Sequence, residues 1–149
     1  MFWQRLDQLI KTVKPIVDAI GNLESREVSL ADCMLELIRC ARAMLRLPLD
    51  EDDDIGFHMH AKAVFNQRFH AMNTEYHSLA LFLNPLTRKL AISQAASGCS
   101  FQFMVETALK IAHQWRWNEQ MALLLVMDLK QYYHCKGAFV GGQADGLDW

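Results

Sequence analysis

The stretch SLADCMLELIRCARAML, residues 29–45, decides the fold class. Ser29-Leu30-Ala31-Asp32 has the form of a capping box, with a short acid where glutamate is usual. The serine can satisfy an amide of the first turn while the acid three residues on answers it. Leu30, Met34, Leu37, Ile38, Ala41 and Leu45 then recur at intervals of three, four and one, which lines up one face of a helix. Arg39, Arg42 and Arg46 fall on the opposite face, and Pro48 stops the run.

The same grammar extends in both directions. Upstream, Phe2, Leu6, Leu9, Val13, Ile16, Val17 and Ile20 predict a helix from Phe2 to about Leu23, with Asp7, Lys11, Lys14 and Asp18 outside. Pro15 removes an amide donor and is expected to bend this helix or split it. Downstream, the acidic run Asp50-Glu51-Asp52-Asp53-Asp54 reads as a loop entering a third helix, whose positive dipole end acids favour. Phe57, Ala61, Val64, Phe65 and Met72 mark that helix. Run on unbroken, it would point both Arg68 and Glu75 at its apolar face. A break at Asn73 is therefore expected, with Thr74 capping a short helix through Leu83, closed by Pro85.

Leu86 to about Ala96 is read as a further short helix and Ser97 to Ser100 as a loop. Phe101 to Trp115 follows, with Val105, Leu109 and Ala112 inside. Asn118 caps a last helix, Glu119 to about Tyr133. No segment alternates long enough to make a strand. The expected fold is all-α: one multi-helix bundle of about six helices over residues 1–140, with a flexible tail at 141–149.

Composition limits the function classes. Of 149 residues, 52% are hydrophobic and 21% charged, which suits a globular domain. A formal charge of -2 gives no general attraction to nucleic acid, so any such contact needs a local patch. Every apolar run is interrupted by charge before it could span a membrane. The charged N-terminus lacks the apolar core of a signal peptide. Cys33, Cys40, Cys99 and Cys135 form no C-x-x-C pair and read as reduced thiols, implying a nuclear or cytoplasmic location rather than secretion.

Residue chemistry offers no complete catalytic site. His58 and His60 stand on different sides of a helix, His70 and His77 straddle the break, and H-E-x-x-H is absent, so no metal is expected. A flexible run of consecutive acids does not hold two metal ions as rigid separate elements would. Phosphate-cradling, dinucleotide and nucleophile-elbow motifs are missing, so neither cofactor nor small-molecule substrate is expected. His134 beside Cys135 makes no dyad by adjacency alone.

One constellation has two readings. Arg39, Arg42 and Arg46, with Arg88 and Lys89 as a second cluster, could hold a phosphate backbone weakly and without sequence preference. The favoured reading is a solvated face, with Glu36 paired to Arg39, because charged outer faces are the norm on amphipathic helices. Trp115-Arg116-Trp117 could stack bases, or its indoles could plug the core between two helices.

Phe2-Trp3, Lys14-Pro15-Ile16, Leu23-Glu24 and the capped helix at Ser29 resemble, in that order, a stretch of hAT-type transposases, particularly the fungal transposon-derived kind. Arg68-Phe69 and the run from His77 through Leu79-Ala80-Leu81-Phe82-Leu83-Asn84-Pro85 continue the resemblance, followed by Arg88-Lys89. Trp115-Arg116-Trp117, Leu129 to Tyr133 and the closing Gly146-Leu147-Asp148-Trp149 complete it over nearly the whole chain.

The resemblance implies a ribonuclease H-like protein in which Asp, Asp and a distant Glu hold divalent metal, with a helical insertion between the second Asp and the Glu. This chain is similar to the later part of that insertion. The metal-binding acids and the family's base-contacting Trp would lie outside it, so no catalytic residue carries over. A non-catalytic helical fragment with a structural or assembly role is expected, and the alternative is a stand-alone protein-interaction module. Either would bare an apolar face to a protein partner, and a bare face on the first and last helices would favour the transposase reading.

Overall fold

The computed structural model describes residues 2–24, 27–88, 91–92 and 99–140. Among them the chain forms six α-helices and no strand, the all-α class that the periodicity predicts. It divides into two compact units, Met1–Thr74 and Glu75–Trp149, where the sequence reads as one domain. The division falls at the expected break, between a helix ending at Met72 and one starting at Glu75. Asn73 there takes an extended conformation (φ -77°, ψ 91°) that no helix can continue. The tail at 141–149 lies outside the described residues.

The first unit holds α1 (Phe2–Leu23), α2 (Leu30–Leu45) and α3 (Ile55–Met72). The capping box forms as read: Ser29 Oγ accepts the Asp32 amide at 3.3 Å, and Asp32 Oδ2 accepts the Ser29 amide at 2.9 Å. The hydrogen bond from the Ser29 hydroxyl holds the Asp32 carboxyl below its usual range. The acidic run is a fastened loop. Asp54 caps α3 through the Phe57 amide, Asp53 accepts the Asp50 amide, and Asp50 meets Lys11 at 2.8 Å. That carboxylate and Asp7 together push the Lys11 ammonium pKa up.

Two faces differ from the expected stripes. α1 runs through Pro15 without splitting, and its buried residues are Gln8 and Thr12. Gln8 turns inward because its amide reproduces a peptide group's donor and acceptor. Its Nε2 donates to the Asp54 carbonyl at 2.9 Å, and its Oε1 accepts the Asp54 amide at 3.1 Å. The apolar stripe, including Leu9, Val13, Ile16, Val17 and Ile20, is left exposed. On α2 the buried side is Ala31, Met34, Glu36, Cys40 and Met44, while Leu30, Ile38 and Leu45 face out. Glu36 can be buried because Asn22 donates to it at 3.0 Å and Arg39 pairs with it. Burial also pushes the Cys40 thiol pKa up.

The second unit holds α4 (Glu75–Leu83), α5 (Phe101–Gln114), α6 (Glu119–Tyr133) and a 3-10 turn at Gly137–Phe139. Its core is aromatic. Phe82 is fully enclosed and meets Phe101 and Tyr132 edge-on, with ring centroids 6.1 and 5.4 Å away. Residues 85–88 are turns rather than the start of a helix, locked by Thr87 Oγ1 donating to the Leu81 carbonyl at 2.7 Å. Of the helix expected over Leu86–Ala96, residues 89–90 and 93–96 lie outside the described residues.

α5 and α6 both end in Schellman motifs. The Trp117 and Lys136 amides reach back to the Ala112 and Gln131 carbonyls. The left-handed positions are filled by Arg116 (φ 58°) and Cys135 (φ 52°), where glycine is usual.

Candidate docking groove

α1 and α3 both pack against α2, yet scarcely touch each other, so a groove opens between them with α2 as its floor. The exchange between Gln8 and Asp54 pins its two walls together at one end. Leu9, Val13, Ile16 and Ile20 line the α1 wall, and Phe57, Ala61, Val64, Phe65 and Met72 the α3 wall. Leu37, Cys40 and Met44 form the floor. The groove encloses about 580 Å³. From Leu9 to Leu23 the α1 wall runs roughly 21 Å at the helical rise per residue, about four turns.

The polar groups are few and unmatched. Thr12, only 5% exposed, lines the groove with its hydroxyl unpartnered, an expensive state for a buried oxygen. His60 and Arg68 lie on the α3 wall, and no carboxylate lines the groove. Arg68 is exposed and makes no hydrogen bond or ion pair with the described residues. α3 carries no acid, and among the described residues Arg68 is the one cationic side chain that lines the groove. The sequence pattern does not single out this site; Arg68 enters it only as one of two charges that an unbroken helix would turn to its apolar face.

The residues expected to meet DNA are only partly brought together. Arg39, Arg42 and Arg46 share one exposed face of α2. Arg39 is engaged by Glu36, whereas Arg42 and Arg46 make no side-chain bond with the described residues. Arg88 corrects the expectation of a surface cluster. It is 3% exposed, its Nη1 donates to the Tyr132 carbonyl at 2.8 Å and lies 2.9 Å from Cys135 Sγ, and its guanidinium stacks 3.9 Å from the Tyr132 ring centroid. The turn after Pro85 carries it inward, where its charge meets the negative C-terminal end of α6. It is a structural cap and cannot reach a phosphate backbone. Lys89 lies outside the described residues.

The tryptophans also differ from the core-plug reading. Trp115 is 67% exposed and Trp117 is exposed as well, because the left-handed turn at Arg116 keeps both on the surface. Among the described residues, no three His, Cys, Asp or Glu side chains are grouped to hold a metal ion. None of the described helices is long and apolar enough to cross a membrane. The chain matches no protein-family model, no curated protein and no solved structure.

Proposed function

We propose that this chain is a non-catalytic helical scaffold that assembles with other protein by receiving an amphipathic helix in the α1–α3 groove. The carrying observation is the groove itself: three helices present apolar walls and floor over about four turns, with the place of a fourth helix open. A helix laid there would cover Leu9, Val13, Ile16 and Ile20, which face solvent with no partner. Helix-in-groove recognition reads apolar anchors at i, i+3, i+4 and i+7, and a groove of this length takes such a set.

A selection from a library of helical peptides about sixteen residues long tests this, since that length gives just over four turns. Selected peptides should carry the apolar spacing and lose binding to Val64→Glu, with circular dichroism showing the variant folded. Failure to select any peptide that depends on Val64 would sink the docking reading.

The transposase reading fits within the same proposal. Bare apolar faces lie on α1 and on α6, where Met121, Leu123, Leu124 and Met127 are exposed. These are the first and last α-helices of the described chain, where the insertion of a hAT-type transposase would lean on the rest of the catalytic body. Transcript sequence on both sides of this reading frame tests that lineage. Coding sequence for the missing Asp and Glu segments supports it, and unrelated sequence on both sides counts against it. In either case the DNA role is a weak, salt-sensitive contact through Arg42 and Arg46, with Arg39 shared with Glu36.

A further inference from the structure

The groove needs an occupant with an apolar face, and Arg68 needs an acid beside that face. α6 carries both. Asn118 caps it, and its first turns read Met121-Ala122-Leu123-Leu124-Leu125-Val126-Met127, apolar on every side. A surface helix normally shows one apolar stripe, and a helix greasy all round normally is buried. Here Met121, Leu123, Leu124 and Met127 are exposed. Met121, Leu124, Leu125 and Asp128 stand at i, i+3, i+4 and i+7, so they share one face and the acid ends it. Asp128 is exposed and makes no hydrogen bond or ion pair with the described residues.

We propose that the occupant of the groove is α6 of a second copy of this chain, with Met121 and Leu124 between the apolar walls and Asp128 against Arg68. This rests on the docking reading above and names its partner. The groove contributes one cation, Arg68, and no carboxylate, and the α6 face contributes one carboxylate, Asp128, and no cation, so the two surfaces are complementary in charge as well as in apolarity. Each copy carries one groove and one α6. Reciprocal exchange stops at two copies and covers the groove and the Met121–Leu124 edge of α6 in each, whereas one-way addition would build open chains.

The test is sedimentation equilibrium on the full chain, with circular dichroism confirming that each variant folds. Wild type should be a dimer at about 100 μM, well above the micromolar Kd of a modest interface. Leu124→Glu should dissociate it. Arg68→Asp and Asp128→Arg should each weaken the dimer about tenfold, and the double variant should return to within about threefold of wild type, because opposite charges again face each other. Both altered side chains are exposed, so neither exchange threatens the core.

A wild-type monomer at that concentration overturns the proposal, as does a dimer indifferent to all these variants or a double variant that is not rescued. Library peptides that still bind in a Val64-dependent way would then leave the groove's docking role standing without this occupant. The absence of such peptides would remove the docking role as well.

Discussion

Phe82→Ala is the sharpest test of how the second unit is built. Phe82 is 0% exposed and its ring is met by Phe101, Tyr132 and Tyr133, at centroid distances of 6.1, 5.4 and 6.4 Å. Truncating an enclosed phenylalanine costs about 3–5 kcal/mol, the sum of lost transfer energy and the cavity left behind. The edge-on aromatic contacts argue for the upper half of that range. A unit of about 75 residues is stable by roughly 4–11 kcal/mol, so the change removes a third of that or more. Leu83 is the control: it is the next residue, similarly apolar, and 46% exposed. Leu83→Ala should cost about 1 kcal/mol, in proportion to the half of its surface that is buried. Urea unfolding followed by circular dichroism at 222 nm measures both, and the near-ultraviolet tyrosine signal reports the packing around Tyr132 and Tyr133. Equal costs for the two variants, or a Phe82→Ala cost below about 1 kcal/mol, would mean that α4 presents a different face to the core.

Ser29→Ala should destabilise the first unit by about 1 kcal/mol through loss of the α2 cap. Because Ser29 depresses the Asp32 carboxyl in the folded chain, the ionised acid's share is complete above its unfolded pKa of roughly 3.9. That share is lost as pH falls through the lower folded value, so wild type and variant should converge in acid melts. Arg116→Gly should stabilise the second unit by about 0.5–1 kcal/mol, since a left-handed non-glycine residue costs about 1–2 kcal/mol and glycine gives part of that back as lost chain entropy. A destabilised Arg116→Gly in a thermal melt would show that the arginine side chain contributes more than its backbone strain costs. Replacing Arg42 and Arg46 by glutamine, with Arg39 left to its pair with Glu36, should abolish the proposed weak low-salt binding to duplex DNA while leaving the fold intact. Equal affinity in a titration would return that face to a solvated role. Magnesium or manganese should support no DNA cleavage by the wild-type chain, and cleavage lost on replacing Asp52 and Asp53 together would show the acidic loop to be misread.

What the sequence made legible were features encoded locally. Ser29 with Asp32, and Asn118 before α6, sit where their side chains can satisfy first-turn amides, and the starts of α2 and α6 follow. The break at Asn73 was legible because it resolves a conflict between Arg68, Glu75 and an apolar face. The direction of burial was not legible, because it depends on partners distant in sequence. Gln8 is buried for a backbone group at Asp54, Glu36 for Asn22 and Arg39, and Arg88 for a carbonyl at Tyr132. Each is a polar residue whose inward position is set by one long-range bond, and hydrophobic periodicity carries no information about such bonds. The groove escaped for the same reason. The apolar stripe on α1 is legible as a stripe, and what covers it is not.

The two units therefore differ in how completely their apolar surface is used. In the second unit, Phe82, Met104 and Tyr132 close a core around one aromatic cluster, and the exposed apolar side chains are spread over α6, the Trp115–Trp117 turn and single positions such as Leu86 and Val140. In the first, α1 spends its inward face on Gln8 and Thr12 and leaves its larger apolar face to solvent. A helix packed that way gains little from burial at about 25 cal/mol per Å² of apolar area, so the first unit should be the weaker until its groove is filled. The proposed docking is then linked to folding through the same residues. A ligand present at a hundred times its Kd would stabilise the unit by about 2.7 kcal/mol, a large share of what so open a three-helix unit can hold. Thr12 Oγ1 is buried beside the apolar face of α1 without a hydrogen-bond partner among the described residues. The open face of α1 thus goes with turning Gln8 inward to Asp54.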